Sequence, residues 1–370
     1  MTDEKKEEKY AKEKLEDFAS SIVNQIYAGK NPKFVATART RSNVLYNDKK
    51  GYLLLGDAKE ERNFINVAQS KRFMQTIAIA AKCHKFISEN LHTSIRGLYY
   101  QLKYSLGEDV DENIFSEQAE SNPLIEDLEV ALNLKREDLN LNANRKGVLA
   151  GNIKIIDTFG NEKLEIDASK MGRSGWAIPS DVDNDIKFVD IKAKYVLVVE
   201  KDALWQRLNE DRFWKKENII LISPQGQAAR GTRRLIRKLA DQGLPIYVFN
   251  DGDAWGWYIY WTIKTGSMNL AYIGSDIATP EAKFIGVTMS DIEHYDFLKN
   301  MTMKASEIDL KRAQEMLSYP WINRHKEWVE ELKKVLITKR KLEQDTLQGP
   351  RLTFVDDYIR EKVKNGEFLP

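Results

Sequence analysis

The stretch YVLVVEKDALWQRLNEDRFWKKENIILISPQGQAARGTRRLIRKLADQGLPIYVFNDGDA, residues 195–254, decides the fold. Three continuous apolar runs, Tyr195–Val199, Ile219–Ile222 and Ile246–Phe249, are separated by helical segments at Asp202–Arg212 and Gly231–Gln242. Strands buried on both faces have no reason to alternate polar and apolar residues, so such runs alternating with helices predict a parallel, right-handed α/β sheet. Ligands of an open parallel sheet gather beyond the carboxyl ends of its strands. Glu200 follows the first run directly, and Asp251 and Asp253 follow the third within Asn-Asp-Gly-Asp. Three carboxylates from two strand ends suit Mg²⁺, which takes few protein oxygens and keeps waters for phosphate. The competing reading is an ordinary Asp-Gly-Asp turn, with Glu200 placed by the dipole of the following helix.

Upstream of this stretch the period changes. Leu15, Phe18, Ile22 and Ile26 recur at helical spacing in residues 1–30, and Phe34 to Asp57 alternates around a break at Asn47-Asp48-Lys49-Lys50-Gly51, which reads as a hairpin. A helix is expected from Ser70 to near Asn90, a second opening on a Thr93 N-cap and containing SIRGLYYQLKYSL, and a third from Asn122-Pro123 through Leu132. The short strand-like runs GVLAGNIKIID and EKLEID follow. Helices followed by a β-ribbon give the order of a winged helix-turn-helix domain, a small α+β packing domain being the alternative. The tail from Ser306 reads as helical with a break at Tyr319-Pro320. The expected division is an N-terminal helix and hairpin extension (1–65), a winged-helix, CAP-like domain (66–185) and a parallel α/β domain with C-terminal helices (186–370), so the fold class is α/β plus α+β.

The 370 residues are 42% apolar and 31% charged, with a formal net charge of +1. No run approaches the about 18 apolar residues of a membrane span, and the charged start MTDEKKEEKYAKEK is unlike a secretory leader. Cys83 is alone, which excludes a disulfide scaffold and a cysteine zinc site and fits a reducing cytoplasm. Two basic patches stand on this balanced chain. Lys71 to Gly107 holds six cations, among them Arg72, Arg96 and Lys103, against Glu89 alone; Ser223 to Ala240 holds Arg230, Arg233, Arg234, Arg237 and Lys238 with no acid. With Arg145 and Lys146 of ANRKG, these supply candidate phosphate contacts, although a solvated helix face carries the same letters.

The sequence contains no Gly-x-Ser-x-Gly and no His-Glu-x-x-His, and GQAARGTR has Thr232 where a phosphate loop needs lysine, so no nucleotide loop is legible. The four histidines show no ligand spacing. Tyr99-Tyr100 remains as a nucleophile candidate: a phenol of pKa about 10 can attack a phosphodiester where arginine and a metal stabilise the developing charge. A tyrosine pair is also ordinary half-buried packing.

TSIRGLYYQLKY (93–104), YVLVVEKDALWQRL (195–208), RGTRRLIRKL (230–239) and VFNDGDAWGWYI (248–259), in this order, closely resemble the A subunits of archaeal-type DNA topoisomerase VI, a superfamily that includes the meiotic double-strand-break transesterase. GWAIPS (175–180), KFIGVTMSDI (283–292), YPWI (319–322) and KRKLEQ (339–344) extend the resemblance over the chain from about residue 15. It implies a winged-helix domain followed by a Toprim metal domain, with Tyr100 as attacking tyrosine, Arg96 as its arginine, and Glu200, Asp251 and Asp253 holding Mg²⁺. Gly97, Ala254-Trp255 and Gly226-Gln227-Ala228 depart from the frequent family residues. The implied activity is a reversible double-strand break through a 5′-phosphotyrosyl link, serving duplex passage and supercoil relaxation. The implied partners are double-stranded DNA, a second copy of the chain, and a B-type ATPase subunit in an A2B2 heterotetramer, with ATP used by the B-type partner only. The protein is expected to be prokaryotic, archaeal and nucleoid-associated in the cytoplasm. The rival functions are break formation without strand passage, a metal-dependent nuclease or primase using the acids alone, and a non-catalytic winged-helix DNA-binding protein.

Overall fold

Residues 3–103, 113–143, 145–159 and 162–370 are described by a computed structural model. The chain divides into two compact units, one formed by Met1–Leu45 with Leu54–Asn144 and the other by Tyr46–Leu53 with Arg145–Pro370.

The first unit opens with helix α1 (Asp3–Tyr27), whose Leu15 and Ile22 are buried as their spacing expects. Strand β1 (Lys33–Thr37) precedes the hairpin of β2 (Val44–Asn47) and β3 (Tyr52–Leu55), and β1 pairs antiparallel with β4 (Lys59–Asn63). The hairpin turn falls where the sequence breaks: the Gly51 N–H donates to the Asn47 carbonyl at 2.7 Å, and the Asn47 side chain accepts from the N–H groups of Lys49 and Lys50. Its tip, Tyr46–Leu53, belongs to the second unit, where Tyr46 stacks on Trp321 at 6.0 Å and lies 4.8 Å from the guanidinium of Arg324.

Helix α2 (Val67–Glu89) is capped by the Asn66 side chain and ends on Asn90 in the left-handed conformation. Strand β5 (Thr93–Ser94) leads into α3 (Ile95–Leu102), and the cap is Ser94, whose Oγ accepts from the Gly97 N–H, rather than the expected Thr93. Thr93 and Ser94 both pair in parallel with β6 (Leu141–Asn142), and Ser94, the last residue before α3, supplies the cap. The remainder of the expected SIRGLYYQLKYSL helix, from Tyr104 on, lies outside the described residues. Helix α4 (Gln118–Leu132) begins before the expected Asn122-Pro123 and carries Pro123 inside it. The apolar faces of α2, α3 and α4 meet in one core containing Ile79, Cys83, Leu98, Leu102, Ile125 and Leu128.

In the second unit, β7 (Val148–Gly151), β8 (Ile153–Phe159), β9 (Glu162–Asp167), β10 (Trp176–Ala177) and β11 (Ile186–Ile191) precede the parallel strands. The order β11-β8-β9 makes a separate antiparallel sheet. Strand β7 pairs antiparallel with β13 (Ile220–Ser223), Gly151 opposite Ile220 and Val148 opposite Ser223, and buries Leu149 and Ala150. The ribbon read as a wing of the helical region thus lies in the second unit: a short apolar run looks the same whether it forms a wing or completes a large sheet.

Strand β12 (Val196–Val199), α5 (Asp202–Glu210), α6 (Phe213–Glu217), β13, α7 (Arg230–Asp241), β14 (Ile246–Phe249), α8 (Ala254–Thr265) and β15 (Lys283–Gly286) form the predicted α/β layer. The six-stranded order is β10-β7-β13-β12-β14-β15, with β13-β12-β14-β15 mutually parallel. All four residues of β12 are completely buried, which explains its unbroken apolar letters. Because the chain leaves β12 toward β13 on one side and returns to β14 on the other, a topological switch point lies at the carboxyl ends of β12 and β14. Helix α8 is seated by Trp257 and Tyr260 packed on Trp328 of the helix Lys326–Thr338. The tail breaks at Tyr319-Pro320, as expected, and ends in the helix Phe354–Asn365. No helix among the described residues is long and apolar enough to cross a membrane.

Candidate active site

Glu200 and Asp251 leave the adjacent ends of β12 and β14, and the Asp251 N–H donates to Glu200 Oε2 at 3.3 Å. Burial, reinforced by the Asp251 charge, raises the Glu200 carboxyl to about 7, and burial likewise raises Asp251 to about 6. Asp253 serves first as the N-cap of α8: its Oδ1 accepts from the N–H groups of Trp255 and Gly256 at 3.0 and 2.8 Å. Gly256 is required here, since a Cβ would lie 2.4 Å from the Asp251 carbonyl oxygen. Burial raises the Asp253 carboxyl as well, although Lys341 opposes this.

A strap from the far end of the chain holds the acids. The Gly252 N–H donates to the Leu342 carbonyl and the Leu342 N–H donates back, while Gln344 donates its backbone N–H to Asp251 Oδ1 at 2.7 Å and its Nε2 to the Phe249 carbonyl at 2.6 Å. Lys341 stands 3.5 Å from Asp253 and 3.2 Å from Asp309. Lys201 reaches Asp251 at 3.3 Å and both Glu343 and Asp345 at 2.8 Å, and these partners hold its ammonium well above the ordinary lysine range. Sequence reasoning assigned no role to Lys201, Lys341 or Gln344. Lys201 lies directly after Glu200 within YVLVVEKDALWQRL, whereas Lys341 and Gln344 lie in KRKLEQ, which has no local pattern tying it to residues ninety positions earlier.

Among the described residues, no three His, Cys, Asp or Glu side chains are gathered to hold a metal ion. Glu200 and Asp251 are brought together, whereas Asp253 is turned to its cap and to Lys341. Two buried carboxylates, both raised by burial and sharing one nearby ammonium, that of Lys201 at Asp251, form an all-oxygen donor pair. That fits a hard cation bound through one or two carboxylates and its own waters.

The two hydroxyls of the tyrosine pair have different surroundings. Tyr99 is 7% exposed and donates its hydroxyl to the Ser116 carbonyl at 3.1 Å; Tyr100 is 58% exposed with its ring 5.8 Å from the Arg96 guanidinium. Hydrogen bonding to Arg96, then the charge of that group, lowers the Tyr100 phenol below its ordinary value. Period 3.6 places Arg96 one turn before Tyr100 on α3, which is why the two meet.

Arg72, Lys103 and Arg145 are exposed, while Lys146 donates to the Gln227 carbonyl at 3.0 Å. The second basic run is largely folded inward. Arg230 and Arg233 are buried, with Arg233 pulled down to about 10 by burial and by Arg230. Arg234 pairs with Asp183 at 2.6 Å and donates to the Asp276 carbonyl, and Arg237 pairs with Asp241 and Glu281. The run lacks acids in sequence because several of its partners come from other segments.

Residues 195–363 match the Toprim domain of the topoisomerase 6 A subunit and Spo11, residues 71–141 match the type IIB DNA topoisomerase family, and residues 146–192 match the all-beta domain of the DNA topoisomerase VI alpha subunit. The chain is 44% identical over 369 residues to the A subunit of type 2 DNA topoisomerase 6 from Pyrococcus horikoshii, covering 96% of this chain and 94% of the relative. The corresponding protein of Pyrococcus abyssi is 43% identical over the same shares, and that of Sulfurisphaera tokodaii 37% identical over 99% of this chain and 97% of its own length.

Proposed function

This chain belongs to the family of topoisomerase VI A subunits and is the DNA-cleaving subunit of a type IIB topoisomerase, and on that premise we propose that Tyr100 is its nucleophile. The observation that carries the assignment within the pair is the fate of the two hydroxyls: Tyr99 spends its proton on Ser116, whereas Tyr100 is exposed beside Arg96 with its phenol acidified. Tyr100 Oη attacks a backbone phosphorus; the new O–P bond forms as the bond to the 3′ oxygen breaks, and that oxygen takes up a proton to leave as a 3′-hydroxyl. The phosphate stays joined to Tyr100 at the 5′ end, so the break is stored as an ester and reversed by the 3′-hydroxyl. Arg96 favours the phenolate and supplies positive charge at the attacking oxygen.

Glu200 and Asp251, with Asp253 behind them, would hold Mg²⁺, which when bound clamps the phosphate and stabilises the leaving oxygen. Lys201, Gln344 and the strap position these carboxylates. Helices α2 to α4 serve as the helix-turn-helix of a winged-helix domain, and Arg72, Lys103, Arg145, Lys146, Arg230, Arg233 and Arg234 supply the positive field for DNA. The working unit is a homodimer that joins B-type ATPase partners to form an A2B2 assembly in the cytoplasm.

The test is capture of protein on end-labelled DNA in denaturing gels. Tyr100→Phe should form no adduct while binding DNA as well as wild type, and Tyr99→Phe should still form it. An adduct from Tyr100→Phe would overturn the assignment. Supercoil relaxation should require ATP and the B-type partner.

A further inference from the structure

A cavity of about 740 Å³ lies in the second unit and away from the acids. It opens between the turn at residues 168–174 and the corner joining α5 to α6, beside the end of β7 that pairs with the start of β13. It therefore sits at the amino ends of the parallel strands, the opposite end of the sheet from Glu200 and Asp251. Its charge is one-sided. Glu210, the one acid in the lining, pairs with Arg207 at 3.1 Å, and Lys170 pairs with Asp167 at 3.3 Å. Arg173, Arg212 and Lys215 are exposed and make no ion pair among the described residues.

These three cations are held in place from beneath. Asn209 is buried; its Nδ2 donates to the carbonyls of Gly172 and Arg173 at 3.2 and 3.1 Å, and its Oδ1 accepts from Trp214 Nε1 at 2.8 Å. One side chain thus ties the turn that carries Arg173 to the corner that carries Arg212 and Lys215. Arg212 sits in the left-handed region at φ 51°, a conformation that a non-glycine residue adopts at a cost.

We propose that this cavity is a second phosphate-binding site, which holds the backbone of a stretch of duplex DNA outside the one being cut. The proposal rests on the DNA-cleaving reading for its substrate and adds a site to it. Backbone binding needs charge and no base contact, which three uncompensated cations supply. An acidic protein segment is the less fitting occupant, because Ala150, Ala168 and Trp214 of the lining are buried and leave no apolar anchor of the kind that dominates protein interfaces.

The experiment compares wild type with Arg173→Gln/Arg212→Asn/Lys215→Gln, asparagine being chosen because it tolerates the left-handed region. Affinity is measured against salt on a duplex just long enough to be cleaved and on a long linear duplex. The variant should match wild type in thermal melting, and on the short duplex in affinity and adduct formation. On the long duplex its affinity should fall about tenfold and its log–log salt slope by about 2–3, at about 0.9 per phosphate contact. An unchanged slope on the long duplex overturns the proposal, as does a loss already complete on the short one. Normal DNA binding with failure to assemble with the B-type partner would give the site to an acidic protein segment instead. Loss of the adduct on the short duplex by Tyr99→Phe but not Tyr100→Phe would strike the cleavage reading and leave this site untouched.

Discussion

Gly256→Ala is the substitution that most directly tests how the acid loop is built. In an ordinary helix this change is favourable by about 1 kcal/mol. Here the added Cβ would stand 2.4 Å from the Asp251 carbonyl oxygen, about 1 Å inside the usual carbon–oxygen contact of about 3.3–3.6 Å. The obstacle is backbone, so no side-chain rotation relieves it. The Gly256 N–H is bound to Asp253 and its carbonyl accepts from Asn250, so any retreat of α8 strains the cap and the strand end together. Overpacking of this kind costs about 1–3 kcal/mol, which cancels the helix gain and leaves a net loss of up to about 2 kcal/mol, lowering the melting temperature by up to about 8 °C for a unit of this size. The functional effect should be larger, because a shift near 1 Å in a positioning group costs about a hundredfold in rate. The assays are thermal melting and single-turnover adduct formation, with DNA affinity as the control. A variant that melts at or above wild type and cleaves at its rate would refute the account of the loop.

Arg96→Met should move the pH profile of adduct formation upward: without the guanidinium the Tyr100 phenol returns toward about 10, so less phenolate is present at any pH below that value, and Arg96→Lys should restore part of the shift. A profile that stays in place would remove Arg96 from the chemistry. Lys201→Met should lower stability in the absence of Mg²⁺ by about 1–3 kcal/mol while enlarging the rise in melting temperature that Mg²⁺ produces, because the carboxylates then lack their resident ammonium. A smaller Mg²⁺ effect than in wild type would contradict this. Mixing Tyr100→Phe with Glu200→Ala should bring back single-strand nicking if each site is assembled from two protomers, since a heterodimer then holds one complete site. Inert mixtures with proven heterodimers would place each site within one chain.

The parallel sheet was legible because β12, β13 and β14 are buried on both faces and write that burial directly into their letters. The acids were legible for a related reason: Glu200 is the first residue beyond β12 and Asp251 the second beyond β14, at the sheet's switch point. The strap was not, because nothing near Leu342 or Gln344 encodes a bridge to Gly252 or a bond to Asp251. The β-ribbon was misplaced because pairing of β7 with β13 is a long-range choice that its own four residues do not specify. The inward turn of α7 was hidden in the same way, its acids Asp183 and Glu281 lying some forty to fifty residues to either side. Residue types alone left Tyr99 and Tyr100 equivalent, and only the surroundings of the two hydroxyls separate them.

The hairpin tip has a consequence for anyone who dissects the molecule. Tyr46–Leu53 is donated to the second unit from a hundred residues upstream, covering Trp321 and Arg324 and lying so close to Gly274 that a Cβ there would meet the Leu53 carbonyl. A fragment cut cleanly at Arg145 therefore begins life with an uncovered tryptophan and a vacant groove. The modularity that the matched domain boundaries advertise is not the modularity of the fold: the portable piece is discontinuous in sequence, and restoring residues 46–53 as a tethered or added peptide is what would make it whole.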